Sequence, residues 1–156
     1  VIATKKVADS FLGGQKEMFY HLITFGGHPI ATAAANANLK IFEEENLINN
    51  SKKMGDYLYE KLQDLYKYSI VGDVRGGLGL LAAVEIVKNK NTKEPFPADF
   101  NLAKKLSGLF NKYKMIGLPS PSSINLAPPI SVSKDEVDDL VERVENIVRD
   151  LESDIK

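Results

Sequence analysis

The sequence predicts an α/β fold in which helices cover a small, mostly antiparallel sheet, with a long helical arm on the N-terminal side. Three observations carry this. Residues 133–155 combine a helix start signal with one long apolar stripe. Residues 29–45 are alanine-rich and helical in character. Between these two helices, at residues 68–87, the apolar spacing changes from a helical to a strand-like period around a cluster of glycines.

The elements follow in order. Val1-Ile2-Ala3 is apolar and β-branched with no cap before it, and reads as the second half of a strand. The chain is therefore expected to be a piece of a longer one. Residues 6–13 read as a short helix closed by Gly13-Gly14. Thr24-Phe25-Gly26-Gly27-His28-Pro29 reads as a turn feeding a helix, since His28 before proline favours an extended backbone and Pro29 suits the first helical position. The helix of 29–45 breaks near Glu45-Asn46, and a second follows over 51–66 with Met54, Leu58, Leu62 and Leu65 on one face.

Strands are expected at 69–74 and 79–87, joined by a bend over Asp73–Gly79. Residues 88–97 form a polar loop. Residues 98–114 form a helix with Phe100, Ala103, Leu106 and Phe110 inward. Two short strands are expected at 115–118 and 123–127 around a tight turn, ended by Pro128-Pro129. In the last helix, 134–154, Ser133 and Glu136 form a capping box, and Val137, Leu140, Val141, Val144, Val148, Leu151 and Ile155 form the stripe.

Composition excludes several function classes. The 156 residues carry 20 Lys+Arg against 21 Asp+Glu, two His and no Cys. Zero Cys removes a disulfide scaffold and a thiolate site, and two His make no case for a metal site. A net charge of −1 draws the chain neither to nucleic acid nor to an anionic membrane. No apolar run reaches the ~18–20 residues of a spanning helix, so the expected location is cytoplasmic. Charge is uneven: residues 86–115 are net +5 and residues 134–156 net −5. The simplest reading is two solvated faces that neutralise each other; the other is a pair of docking faces.

Few residues suggest chemistry by themselves. Arg75-Gly76-Gly77-Leu78-Gly79 could cradle an anion, but it lacks the Lys and Ser/Thr of a phosphate loop and reads first as a turn. Thr24–Pro29 offers a hydroxyl, flexible amides and a helix start within six residues, which suits an anion, although such a run is also an ordinary way to begin a helix. His28 and His21 lack a nameable acid partner, and Glu43-Glu44-Glu45 reads as an exposed helix end.

The run Thr24-Phe25-Gly26-Gly27-His28-Pro29 with its alanine-rich helix resembles class III aminotransferases, the fold-type I pyridoxal-phosphate enzymes. The resemblance continues in order at Glu45-Asn46-Leu47, at Val74-Arg75-Gly76 with Gly79-Leu80-Leu81 and Glu85, and at Ala127-Pro128-Pro129-Ile130 before the capped helix. It implies that residues 1–45 are the tail of a cofactor-binding large domain and 46–156 a small C-terminal domain. It also implies that the Schiff-base lysine lies upstream, so that Lys5, Lys6 and Lys16 are not catalytic, no residue of this chain is, and the chain alone is inactive.

Thr24 matches the family threonine that binds the cofactor phosphate of the neighbouring subunit, which implies pyridoxal 5'-phosphate and a homodimer. Phe25 and Asn125 fall at the substrate pocket of a transaminase that passes an amino group from an amine or amino acid to a keto acid. Two positions depart from the family. Asn125 stands where ornithine-type members carry an arginine, and Leu118-Pro119 where many others do; neither Asn nor Leu can grip a carboxylate in bidentate fashion. The competing reading is a non-catalytic α/β interaction or regulatory domain.

Overall fold

The computed structural model describes residues 2–21, 23–118 and 120–155. The expected strand end at Val1 and the Pro119 of the Leu118-Pro119 departure lie outside them. Ile2 and Ala3 take part in no strand. The chain divides into two compact units, residues 1–39 and 40–156.

The first unit holds the short helix α1 (Lys5–Asp9) and most of α2 (Pro29–Glu44). No described residue of this unit is buried, and Ile2, Phe11, Phe19 and Phe25 are all exposed, as expected of apolar side chains without partners. α1 ends four residues before Gly13-Gly14, where the sequence had suggested its stop. Ser10 already closes it by donating its hydroxyl to Lys6 O (3.1 Å).

In the second unit the break at Glu45-Asn46 is real. Asn46 takes a left-handed backbone (φ 52°), a conformation asparagine tolerates better than most residues, and caps α3 (Leu47–Leu62). α3 starts four residues before the expected position and runs into a 3-10 turn at Gln63–Lys67. Three antiparallel strands follow in spatial order β1 (Val71–Leu78), β2 (Leu81–Ile86), β3 (Ser123–Leu126).

Two expectations fail here. Asp73–Gly79 is no free bend: its residues through Leu78 belong to β1, with register shifts against β2 at Val71/Asp73 and Arg75/Leu78. Gly76 sits where a Cβ would meet the Tyr59 ring at 2.9 Å, so the glycines make room for α3 within the strand. Residues 115–118 form no strand. Lys114 turns left-handed (φ 54°) after α4, and Gly117 lies against the Phe110 ring, which takes the segment off the sheet. The expected helix 98–114 also divides, into a 3-10 turn at Ala98–Phe100 and α4 (Leu102–Lys112), because Asn101 is left-handed (φ 53°).

The sheet buries one face. Val74, Val84 and Ile124 are paired across the three strands, and each is buried. They join Leu58 and Leu62 of α3, Leu106 and Phe110 of α4, and Val144, Ile147 and Leu151 of α5 (Lys134–Ser153) in one core. The alternation of strand side chains sends Arg75, Ala83 and Asn125 to the opposite face. α5 has its capping box: Glu136 N donates to Ser133 Oγ (3.3 Å) and Ser133 N to Glu136 Oε2 (2.8 Å). In the stripe Val137, Val144, Val148 and Leu151 are buried and Leu140 and Val141 half-buried, whereas Ile155 falls beyond the helix end and is exposed.

Three carboxylates of α5 tie it to its surroundings in the same way. Asp138, Glu145 and Asp150 accept from the hydroxyls of Tyr57, Tyr68 and Tyr113 at 2.6, 3.0 and 2.6 Å. Each also pairs with a lysine, Lys134, Lys67 or Lys112, at 2.8, 2.6 and 2.6 Å. In each case that lysine lies over the ring of the same tyrosine, 4.7 to 5.4 Å from its centre. Lys105 adds a pair to Asp154 (3.4 Å). Lys105 and Lys112 thus link the basic stretch of the sequence to the acidic one.

Two outcomes follow from this packing. α3 crosses the β1–β2 turn so closely that a Cβ on Gly55 would stand 2.8 Å from Gly79 Cα and nearer still to its carbonyl. Gly55→Ala should lower stability by about 1–3 kcal/mol, the usual cost of overpacking, with a lowered urea midpoint. Gly108→Ala, on a helix with nothing within 4 Å of the new methyl, should raise stability by about 0.5–1 kcal/mol.

Acid should also loosen α5. Lysine and then tyrosine contacts hold Asp138 and Asp150 below the usual carboxylate range, and Lys67 first holds Glu145 there. Depressed folded values mean that this stability is fully present above the unfolded values of about 3.9–4.3 and is lost as pH falls through the lower folded ones. Stability against urea should stay flat on this account from pH 8 to 6 and drop below about pH 4, and Asp150→Asn should flatten that drop.

Candidate functional site

Thr24, Phe25, Gly26 and Gly27 form a hydrogen-bonded turn immediately before α2. Gly26 N donates to Ile23 O (3.0 Å) and His28 N to Phe25 O (3.1 Å). Gly27 has φ 75°, a left-handed backbone open to glycine at little cost. Pro29 opens the helix without an N–H to satisfy, and Thr32 closes the first turn by donating its amide (2.9 Å) and its hydroxyl (3.2 Å) to His28 O.

The amides of Gly27, Ile30 and Ala31 and the hydroxyl of Thr24 meet no acceptor among the described residues. No acidic residue occupies the first turn of α2. Unpaired amides at the positive end of a helix dipole, beside a hydroxyl, make a local environment for an anion. Phe25 is exposed and its ring meets His28 edge-on at 6.2 Å. His21 packs beside Phe19 at 5.7 Å. Neither histidine is paired with a carboxylate among the described residues. Lys5, one of the three lysines excluded above, pairs with Asp9 at 2.6 Å.

Asn125 lies in the second unit, on the open face of β3, and its Oδ1 accepts from Ser123 Oγ (3.1 Å). On this face Arg75 is held by Asp73 (3.3 Å) and Glu85 (3.7 Å). Asp73 in turn accepts from the Tyr66 hydroxyl (2.9 Å), which accepts from Val74 N (3.0 Å). The Tyr66 hydroxyl first, and then the Val74 amide, keep the Asp73 carboxyl below its ordinary value. Arg75 is thus ion-paired though half-exposed, and the glycines of Arg75–Gly79 are strand and turn, packed against Tyr59 and Ser51, rather than a loop that could cradle an anion.

A cavity of about 720 Å³ opens on this face between the β1–β2 turn and residues 116–118, and Asn125 lines it. Sequence reasoning missed its aliphatic walls. Leu81 read as part of a strand, Leu78 as part of the glycine-rich bend and Ile116 as a strand residue, and all three are exposed. The available signal was Gly79, which turns the chain at φ 69° and leaves Leu78 and Leu81 paired at the sheet's end, while Leu80 is buried. Among the described residues no helix is long and apolar enough to cross a membrane.

The chain matches the family model for aminotransferase class III over residues 1–148. Among curated proteins it is 35% identical over 149 residues to the adenosylmethionine-8-amino-7-oxononanoate aminotransferase of Geobacter sulfurreducens, covering 94% of this chain and 33% of that protein. It is 37% identical over 149 residues to the taurine–pyruvate aminotransferase of Bilophila wadsworthia, covering 90% of this chain and 32% of the relative. Among solved structures, an (S)-enantioselective omega-transaminase from Thermomicrobium roseum superposes with a TM-score of 0.85 at 36% identity, over 94% of this chain and 32% of that one. The chain spans about a third of the length of the curated relatives it matches.

A match that starts before the Thr24 turn and runs through the sheet into α5 takes in both units. The reading as an unrelated interaction domain has no support left, and the chain belongs to the class III aminotransferase family.

Proposed function

We propose that this chain is part of a pyridoxal-phosphate-dependent aminotransferase that moves an amino group from an amine or amino acid to a keto acid. On this reading residues 1–45 belong to the large, cofactor-binding domain and residues 46–156 are the small C-terminal domain. The enzyme works as a cytoplasmic homodimer. The observation that carries the proposal is the turn before α2, where amides without an acceptor among the described residues follow Thr24 at a helix start free of acidic side chains.

That arrangement fits the phosphate of the cofactor. Thr24 donates its hydroxyl, the amides of Gly27, Ile30 and Ala31 supply further donors, and the α2 dipole favours the negative charge. Gly27 serves by the backbone shape that only glycine adopts freely, and Phe25 and Asn125 face the substrate. When bound, the cofactor supplies the electron sink that amino transfer needs. No residue of this chain makes or breaks a bond in that scheme; its contribution is to bind and to orient.

Thr24→Val keeps the shape and removes the donor. A hydrogen bond to a charged group is worth about 1.5–3 kcal/mol, so in the intact enzyme cofactor affinity should fall roughly 10–150-fold, with much of kcat restored at saturating cofactor. Thr24→Ser should be nearly silent. A spectral titration with pyridoxal phosphate reads both, and an unaltered dissociation constant for Thr24→Val, with lowered stability, would leave Thr24 a purely structural part of the turn.

The 156-residue chain by itself should show no amino transfer. After incubation with pyridoxal phosphate and borohydride, peptide mapping should find no adduct at Lys5, Lys6 or Lys16. A stoichiometric adduct at any of the three would overturn the assignment of the catalytic lysine to another part of the enzyme.

A further inference from the structure

The end of α4 is held by α5 at both its main chain and its side chain. Tyr113 closes α4, and its carbonyl is one of the acceptors that a helix end leaves without a partner. Arg143 supplies that partner. Its Nη1 donates to Tyr113 O (2.7 Å) and lies 3.5 Å from Lys114 O, while its Nε donates to Asp139 (2.7 Å). Asp150, about two turns further along the same face of α5, accepts from the hydroxyl of the same Tyr113 (2.6 Å). The left-handed Lys114 follows, and Met115 N donates back to Phe110 O (2.9 Å).

Past this root the chain has little else to fix its path. Ile116, Gly117 and Leu118 make no main-chain hydrogen bond among the described residues, and Gly117 lies against the Phe110 ring. The three residues border the cavity that Asn125 lines on the open face of the sheet. A second cavity, of about 510 Å³, lies on the α5 side, where Arg143 and Asp139 line it together with Ile116 and Asn125. Residues 116–118 therefore run beside Asn125 between the two cavities, and where they run depends on how Tyr113 and Lys114 are held.

We propose that Arg143 is a positioning residue for substrate binding: by holding the Tyr113 carbonyl it fixes the path of residues 115–118 beside Asn125, and with it the width of the site that the amino donor enters. The assignment rests on the aminotransferase reading above, in which Asn125 faces the substrate. Arg143 itself touches no substrate. A guanidinium suits the task because its nitrogens form a rigid planar fork, so one side chain holds a carboxylate of its own helix and a carbonyl of the neighbouring one.

The test uses the intact holoenzyme, with pyruvate as acceptor and alanine, taurine, 4-aminobutanoate and 1-phenylethylamine as donors; the donor with the highest turnover is carried through the variants. Arg143→Met keeps the aliphatic stem and removes both donations. Deuterium uptake of the peptide spanning residues 111–118 should rise several-fold at short times, with the peptide over Val144–Leu151 unchanged. KM for the donor should rise about five- to tenfold while kcat stays within about twofold, the split expected when binding common to the ground and transition states is lost. Loss of folded protein alone would lower kcat and leave KM where it was.

Arg143→Lys retains one donor for Tyr113 O and should bring both readouts back to within about twofold of the unmodified enzyme. Asp139→Asn leaves the donation to Tyr113 O in place and should change neither. Unaltered uptake in Arg143→Met overturns the proposal. So does raised uptake with an unaltered KM, or a defect that Arg143→Lys does not relieve. Absence of amino transfer from every one of these donors removes the aminotransferase reading, and raised uptake in Arg143→Met then leaves the anchoring of residues 115–118 standing without it.

Discussion

A three-stranded sheet with one apolar face is stable in water when that face is covered, and here helices cover it. The row Val74–Val84–Ile124 crosses all three strands and is buried against α3, α4 and α5. Because strand side chains alternate, that single burial fixes everything on the reverse face. Asp73, Glu85, Arg75, Ala83 and Asn125 must point the other way. A register slip of one residue would bury the charges and expose the valines, so the ion-paired arginine and the open cavity are consequences of where the core lies.

The same constraint explains the unusual treatment of the helices. With cover on one side only, α3 has to approach the β1–β2 turn at backbone distance, and glycines at 55 and 76 permit it. Asn50 ties the start of α3 to the segment after Pro129 by donating to Ile130 O (2.9 Å) and Val132 O (3.0 Å), so the strand, the proline pair and the last helix keep a fixed path. α5 carries the largest share of buried side chains and fastens its rim with tyrosines that offer a ring to a lysine and a hydroxyl to a carboxylate. These rim contacts are partly exposed and individually modest. They set where α5 sits, while the apolar stripe supplies most of the stability.

Much of this was legible in the sequence because local and long-range signals agree. Ser133 and Glu136 mark a helix start whatever surrounds them, and Asn46 is a residue that tolerates the left-handed break it makes. Gly-Gly-His-Pro announces the turn that presents Thr24. Where reading failed, a contact distant in sequence decided. Met115–Leu118 has strand composition, but Lys114 and the Phe110 ring divert it. Gly76-Gly77 reads as a bend because no local pattern reveals that Tyr59 needs their space. The pairing of Arg75 with Asp73 and Glu85 depends on a strand register with two irregularities, which spacing alone does not supply.

If the fold rests on one-sided burial of the sheet, its stability is concentrated between Leu47 and Leu151, where all of the buried aliphatic and aromatic side chains among the described residues lie. Native-state hydrogen exchange, followed amide by amide, measures this directly. The account requires the slowest exchange, near the global unfolding free energy, at Val84, Ile124 and the Val144–Val148 turn of α5, and fast exchange through residues 5–28. Strong protection in α1 or the Thr24 turn, or early exchange at Val84 and Ile124, would contradict it.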